Sequence, residues 1–236
     1  MPRIKGASIG EHHELVWAGL AGALRELLTE RDYDSITMGH IAERAGLARN
    51  TLYNYGRDKG ALVTALTERV GRPTVARVAA IAAPASAGFP AATPAVDAGA
   101  AGSGAAGTGV AGSSAGVAAA GSAADRLAEI VGVVLEAFTD QVLQLMFRPG
   151  AALPEPGEPK GPDSPFHAIV VAVEQVVRDG IARKEFRDPG DVTLVVELLS
   201  GVMRAGAERV GRTPADLPAT VAAAREIVLA SVARRP

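Results

Sequence analysis

The sequence predicts an all-α protein, and three observations carry that expectation. Apolar residues recur at three- and four-residue spacing along most of the chain, no segment sustains period-two alternation between hairpin turns, and hydrophobic residues reach 48% while aromatics are only 4%. Core volume must then come from Leu, Val, Ile and Ala. Ala is the best helix former, whereas strand surfaces favour aromatic and β-branched residues. At 236 residues with 21% charged side chains, the chain suffices for one or two packed domains and is too apolar for disorder throughout.

The first helix is expected from about Glu11 to Glu30, where Trp17, Leu20, Leu24, Leu27 and Leu28 fall at helical spacing, and Arg31-Asp32-Tyr33-Asp34 reads as a turn. Thr37 is an N-cap for a short second helix buried through Ile41 and Ala45. His40 stands where a Glu or Gln would complete a capping box, so the box is expected to be incomplete. Gly46 sits where a chain leaving a helix needs a left-handed residue, and apolar Leu47 follows it. Residues 48–55 then make about two helical turns. Gly56 ends them, Asp58 caps the next helix, and Arg72-Pro73 is expected to break that helix, with Thr74 to Ile81 as a short continuation.

From Ala82 to Ala124 the composition collapses to Ala, Gly, Ser and Pro, with Asp97 as the only charge. Such a segment has little side-chain area to bury against its ordering entropy and is expected to be a flexible linker. A second apolar stripe runs through Leu127, Ile130, Val131, Val134, Leu135, Phe138, Val142 and Leu145 and is ended by Pro149-Gly150. An acidic Pro/Gly-rich loop over 149–165 follows. Three further helices are expected: Phe166 to about Lys184, Val192 to about Val210, and Leu217 to Ala233.

Several function classes are disfavoured by composition. Lys and Arg number 24 against 26 Asp and Glu, a net charge of −2, so any polyanion must meet a local patch. Cys is absent, which removes disulfides, thiolate nucleophiles and sulfur-ligated zinc. His12, His13, His40 and His167 form no ligand-spaced pair, and adjacent His12 and His13 read as a solvated first turn, so neither metal nor cofactor is expected. The Gly102-Ser103-Gly104-Ala105-Ala106-Gly107 match to G-x-G-x-x-G lacks a preceding strand and a following helix. Glu155 and Glu158 have no partner base, and no catalytic constellation emerges. A polar N-terminus without a secretory pattern, and uncharged runs dense in Pro, Gly and Ser, give the expectation of a cytoplasmic protein with no membrane span.

The informative stretch is 37–62, TMGHIAERAGLARNTLYNYGRDKGAL. In its second helix Ala48, Thr51, Leu52 and Tyr55 share one face. The opposite face shows Arg49, Asn50, Tyr53 and Asn54, donor-rich side chains of the kind that read base edges: Arg matches guanine O6 and N7, and Asn matches adenine N6 and N7. Arg44, Arg49, Arg57 and Lys59 outnumber Asp58, which makes a local basic patch on a nearly neutral chain. Two short helices joined by a glycine turn also occur in proteins that never meet DNA, and an outward Arg-Asn-Tyr face can be merely solvated.

This stretch resembles the helix-turn-helix of TetR-family transcriptional regulators, through Thr37, Ile41-Ala42, Ala45-Gly46, Thr51-Leu52-Tyr53, Tyr55 and Lys59-Gly60-Ala61-Leu62. The resemblance extends upstream over the first helix, to about residues 11–66. It implies that Thr37, Arg49, Asn50, Thr51, Tyr53, Asn54, Tyr55 and Lys59 contact a near-palindromic double-stranded DNA operator. Two positions depart from the family pattern: Ala48 replaces a Ser or Thr that caps the recognition helix, and Gly56 replaces a Phe that pins it to the body.

The C-terminal half resembles the family by pattern, through GIARKEFRDPGDVTLVVELLSGVMRAGAE. The resemblance implies a homodimer built by Val195, Leu198, Leu199, Val202, Met203, Ile227, Val228 and Val232, although periodicity alone equally allows an internal core face. It also implies an unknown small-molecule effector lined by Phe138, Gln141, Val142, Leu145, Met146, Phe166, Ile169 and Val173, with His167 and Gln175 as further polar groups. The expected organisation is a three-helix helix-turn-helix DNA-binding domain (1–70), a connecting segment (71–124) containing the 82–124 linker, and a helical ligand-binding and dimerisation domain (125–236). The expected function is a regulator, a repressor released by its effector. The alternative is an all-α dimeric small-molecule-binding protein whose DNA binding is weakened or lost, consistent with Ala48 and Gly56.

Overall fold

The structure, a computed structural model, describes residues 9–83, 121–148 and 165–234, the side chains of Ile9, Pro165 and Phe166 excepted. Most of the expected linker, the G-x-G-x-x-G match within it and the acidic loop lie outside the described residues. The described residues are helical: α1 (Ile9–Glu30), α2 (Met38–Arg44), α3 (Arg49–Leu52), α4 (Lys59–Ala82), α5 (Ala123–Ala137), α6 (Gln141–Gln144), α7 (Pro165–Ala182), α8 (Val192–Arg212) and α9 (Leu217–Val232). Three 3₁₀ turns accompany them, at Tyr33–Ser35, Leu145–Phe147 and Pro214–Asp216. The only β-type pairing among the described residues is an isolated bridge between Phe186 and Ala233.

Two apolar clusters organise the helices. The first gathers Trp17, Leu20, Ala21, Leu24 and Leu27 of α1 with Ile36, Met38, Ile41, Leu52, Leu62, Val63 and Leu66. The second gathers α5, α7, α8 and α9 around Leu127, Ile130, Val131, Leu135, Val176, Val177, Val196 and Val228. Helix α4 belongs to both: Leu62, Val63 and Leu66 enter the first cluster, Val78 and Ala82 enter the second, and Val70 packs against each.

That double engagement explains why the expected break at Arg72-Pro73 does not occur. Pro73 lies inside α4, which runs unbroken to Ala82. Proline removes one helical hydrogen bond and crowds the carbonyl four residues back, a cost of about 3 kcal/mol. Buried side chains on both flanks of Pro73 offset it.

The stripe from Leu127 to Leu145 is likewise not one helix. It bends by 92° between α5 and α6. Asp140 makes the corner: its carboxylate accepts the Val142 N–H at 2.9 Å as the N-cap of α6, and it receives the Arg25 guanidinium of α1 through Nε at 3.1 and 3.0 Å and Nη2 at 2.7 Å. The bend turns Val142 (fully buried) and Leu145 into the first cluster, while Leu143, Met146 and Phe147 face the second. Arg148 adds a second tie between the halves, an ion pair to Asp34 at 2.9 Å.

The ends of the long insert lie one arginine side chain apart. Arg126 of α5 donates through Nη1 to the Ala82 carbonyl at 3.3 Å and pairs with Asp179 of α7. The start of α5 is fixed by a capping box between Ser122 and Asp125 and by the Ala123 N–H donating to Glu185 at 2.6 Å.

Candidate nucleic-acid interface

Helix α2 begins at Thr37, whose Oγ1 accepts the His40 N–H at 3.2 Å, while the Thr37 N–H donates to His40 Nδ1 at 3.3 Å. The capping box expected to be incomplete is therefore complete. An imidazole with a bare Nδ1 is a hydrogen-bond acceptor like a Glu or Gln oxygen, so His40 serves at this position. Arg31 Nη1 lies 3.5 Å from the same nitrogen. Thr37 keeps its own hydroxyl proton free to donate outward.

The helix ends in a Schellman motif, as the sequence suggests. Gly46 has φ 65°, the Gly46 N–H donates to Glu43 at 3.1 Å and the Leu47 N–H to Ala42 at 2.9 Å. The turn delivers the chain to Ala48, which caps α3 without any side-chain hydrogen bond. Helix α3 is a single turn, Arg49–Leu52, shorter than the two turns expected. Residues 53–55 continue as turns, with N–H donations from Asn54 to Thr51 and from Tyr55 to Leu52.

Leu52 is fully buried and anchors the segment, with Thr51 half-buried beside it. Arg49, Asn50, Tyr53 and Asn54 are all exposed, Tyr53 by 45%. Among the described residues none of these four side chains is engaged in a hydrogen bond or ion pair. One strip of surface thus carries a guanidinium, two amides and a phenol with their donors open, while Gly39 leaves room for the Arg49 guanidinium to approach α2.

The other expected site residues are more occupied. Lys59 directs Nζ to the Tyr33 carbonyl at 3.0 Å and lies 4.2 Å from the centroid of the Tyr33 ring. Nζ also donates to the Asp34 carbonyl at 3.5 Å, so of its three donors one remains for another acceptor. Tyr33 is half-buried, which pushes its phenol pKa up, while nearby Arg148 opposes the shift. Tyr55 is half-buried, edge-on to Trp17 at 5.0 Å and stacked on His13 at 5.4 Å.

The basic patch is thinner than composition implies. Arg44 is tied to Glu30 at 2.7 Å and Glu26 at 3.2 Å, hydrogen bonds that raise its pKa and hold Glu30 below the usual carboxylate range. Arg57, its side chain 89% exposed, has Asp58 within 3.3 Å. Asp58 also caps α4 as expected, accepting the Ala61 N–H at 2.8 Å.

Gly56 has a specific steric reason. A Cβ there would lie 2.7 Å from the N, Cα and Cβ of Leu62, so the turn after α3 rests directly on the first turn of α4. The sequence reading treats Gly56 as a helix stop and as a departure from the family; the backbone contact, invisible to periodicity, is what the structure adds.

The residues expected to line an effector site divide between the clusters. Phe138 is buried and tilts onto Phe147 at 5.1 Å, and Met146, Ile169 and Val173 pack on the second cluster. Val142 and Leu145 instead enter the first cluster, because the Asp140 corner turns them there. Gln141 and Gln175 are exposed and His167 is half-buried. The Phe166 side chain lies outside the described residues. Gln144, which sequence reasoning missed, donates through Nε2 to the Phe138 carbonyl and, at 2.8 Å, to the Ala207 carbonyl, joining α6 to α8.

The residues expected at a dimer face also divide. Leu199, Val228 and Val232 are core, and Val195, Val202 and Met203 pack partly against it. Leu198 is 65% and Ile227 53% exposed, and Leu194, absent from the sequence reading, is 51% exposed. Two of these exposed side chains are on α8 and one is on α9. Leu194 and Leu198 are one helical turn apart, a signal present in the sequence but masked by equally apolar core neighbours.

Among the described residues, no group of three His, Asp or Glu side chains could hold a metal ion, and no single helix is long and apolar enough to cross a membrane.

Comparison with known proteins gives three findings. Residues 20–66 match the family profile of bacterial regulatory proteins, tetR family. A curated HTH-type transcriptional regulator of Mycobacterium tuberculosis (strain H37Rv) is 40% identical over 76 residues, which is 30% of this chain and 38% of that protein, so the match spans well under half of the relative's length. Among solved structures, a SmeT–triclosan complex aligns with TM-score 0.60 at 14% identity, over 93% of this chain and 92% of that one. FadR from Bacillus subtilis in complex with stearoyl-CoA aligns with TM-score 0.59 at 13% identity, over 93% and 99%. At such identities the structural likeness speaks for the fold.

Proposed function

From the premise that residues 20–66 are a tetR-family segment in an all-α chain, we propose that the protein is a DNA-binding transcriptional regulator. The observation that carries the reading is the strip of Arg49, Asn50, Tyr53 and Asn54, exposed and with open donors on α3 and the turn that follows it. Donors left unengaged by the fold suit base edges and phosphates, and the free hydroxyl proton of Thr37 suits a phosphate oxygen. Arg49 is assigned to guanine and Asn50 to adenine, with Tyr53, Asn54, Thr51 and Lys59 completing the contact set.

The regulator acts in the cytoplasm as a homodimer joined through α8 and α9, with Leu194, Leu198 and Ile227 as the central contacts. Its two recognition segments read a near-palindromic operator whose half-sites lie roughly one helical turn, 34–36 Å, apart. Residues 1–70 form the DNA-binding domain and 125–236 the effector-binding and dimerisation domain, with 71–124 between them. The effector is a small molecule with an apolar part held among Phe138, Met146, Ile169 and Val173; triclosan and stearoyl-CoA, bound in two similar structures, each carry such a part. It releases the repressor by favouring a dimer whose recognition segments no longer match the half-site spacing, which requires different affinity for the two states.

Mobility-shift binding to fragments flanking the gene tests the reading. The wild-type chain is expected to give a competitor-resistant shift, Asn50→Ala and Tyr53→Ala to lose it, and Leu198→Glu to lose both shift and dimer. A wild-type chain that shifts no fragment at low salt overturns the regulator. The uncapped Ala48 of α3 would then favour the second reading, an all-α ligand-binding dimer without DNA recognition.

A further inference from the structure

We propose that His13 and Trp17 of α1 and Arg69 of α4 are positioning residues that fix the pitch of the recognition segment through the ring of Tyr55. The proposal rests on the DNA-binding reading above and assigns Tyr55 a mechanical task in place of a phosphate contact.

Helix α3 has few holds on the body. It is one turn long, its N-cap Ala48 offers no side-chain bond, and Gly56 just beyond it has no side chain at all. Leu52 supplies one buried anchor, and the Gly56 backbone rests on Leu62 just beyond the helix. The side-chain hold between these two is the Tyr55 ring. It meets Trp17 edge-on (5.0 Å between centroids, 85°) and His13 face-on (5.4 Å, 26°), while His13 is itself edge-on to Trp17 at 6.1 Å. Three rings thus contact one another in turn, an arrangement in which edge-to-face and stacked pairs are both favourable.

Trp17 is the fixed member. It is 8% exposed, and its Nε1 has no hydrogen-bond partner among the described residues, so ring contacts hold it. The Arg69 guanidinium covers it at 4.5 Å from the ring centroid. Arg69 is in turn held by Glu14 at 2.6 Å, a hydrogen bond that lowers the Glu14 pKa. The α1 side chains at 13, 14 and 17 and Arg69 therefore form one assembly against which Tyr55 rests. Since Tyr55 is two residues from Tyr53 and one from Asn54, tilting its ring moves the reading strip.

The test uses the full chain and two duplexes: the flanking fragment that the wild type selects, and a scrambled duplex of equal length. Tyr55→Phe keeps the ring and is expected to bind both duplexes as the wild type does, with the same salt dependence. Tyr55→Ala and His13→Ala are expected to weaken the selected duplex by about three- to ten-fold, an aromatic pair's worth converted at tenfold per 1.4 kcal/mol, and to leave the scrambled duplex unchanged. His13→Phe restores selectivity.

A Tyr55→Phe chain as weak as Tyr55→Ala on both duplexes makes the hydroxyl a phosphate contact and overturns the proposal while leaving the regulator standing. Trp17 is the chain's single tryptophan, so its fluorescence reports the assembly even if no duplex is bound. Tyr55→Ala is expected to shift its emission to the red; unchanged emission overturns the assembly independently of any DNA result.

Discussion

Replacing Gly56 by Ala probes the junction on which the recognition segment rests. The added Cβ would stand 2.7 Å from three atoms of Leu62, two of them backbone and all within the first turn of α4. Leu62 is fully buried, so it has no solvent into which to retreat. Restoring an ordinary carbon separation of about 3.5 Å requires the two backbones to part by roughly 0.8 Å. Overpacking of this kind costs about 1–3 kcal/mol. For a chain of this length it lowers the thermal midpoint by about 2–4 °C per kcal/mol, hence by some 4–8 °C for a mid-range cost. Gly56 does not have positive φ, so lack of space, and not a strained backbone, is the whole cause.

Gly22→Ala is the matched control. Gly22 lies within α1 with nothing within 4 Å of an added Cβ, so the same chemical change there should stabilise by about 0.5–1 kcal/mol through helix propensity. Thermal unfolding of the two variants, followed by circular dichroism, reads both signs. A Gly56→Ala midpoint equal to or above the wild type would refute the close approach of the turn to α4.

Four further outcomes are expected. His40→Ala should cost α2 about 1 kcal/mol of capping, whereas His40→Gln should keep most of it because the Gln oxygen can accept the Thr37 N–H; chemical denaturation of the two variants decides. Arg25→Ala and Asp140→Ala should be non-additive, with a coupling of about 1 kcal/mol in a double-mutant cycle for a partly exposed bidentate pair; additivity would mean that α1 and the α6 corner are not joined. Replacing residues 84–120 by a short Gly-Ser linker should leave the thermal midpoint unchanged, since Arg126 already bridges Ala82 to α5; loss of the cooperative transition would contradict this. Glu30 has a pKa lowered chiefly by its hydrogen bond from Arg44, so its stabilisation is present above the ordinary carboxylate pKa and is lost as pH falls below it. Glu30→Gln should accordingly lower stability slightly near neutrality and converge on the wild type in acid, flattening the acid limb of a stability-against-pH curve.

Much of the helix-turn-helix was legible because its signals are local. The left-handed glycine at 46, the cap at Asp58 and the burial of Ile41 and Leu52 each follow from residue type at fixed spacing. His40 was misjudged because the capping-box pattern names Glu and Gln, whereas the geometry asks only for an acceptor. Elsewhere the sequence signal was tertiary. Nothing local tells that Val70, Leu62 and Val78 would carry α4 unbroken past Pro73, or that an arginine 115 positions upstream would meet Asp140 at the corner of the α5 stripe. Periodicity likewise cannot separate Leu198 from Leu199, since both lie on an apolar stretch and only the packed fold leaves one of them outside.

Hydroxyl-radical footprinting of the full chain on the fragment flanking its own gene tests the central claim, that the strip from Arg49 to Asn54 reads duplex DNA as one of a symmetric pair. The account predicts two protected patches, related by a dyad and centred roughly one helical turn, 10–10.5 base pairs, or a little more apart, both vanishing in Asn50→Ala. Uniform protection that tracks only salt concentration, or none at all, would contradict it.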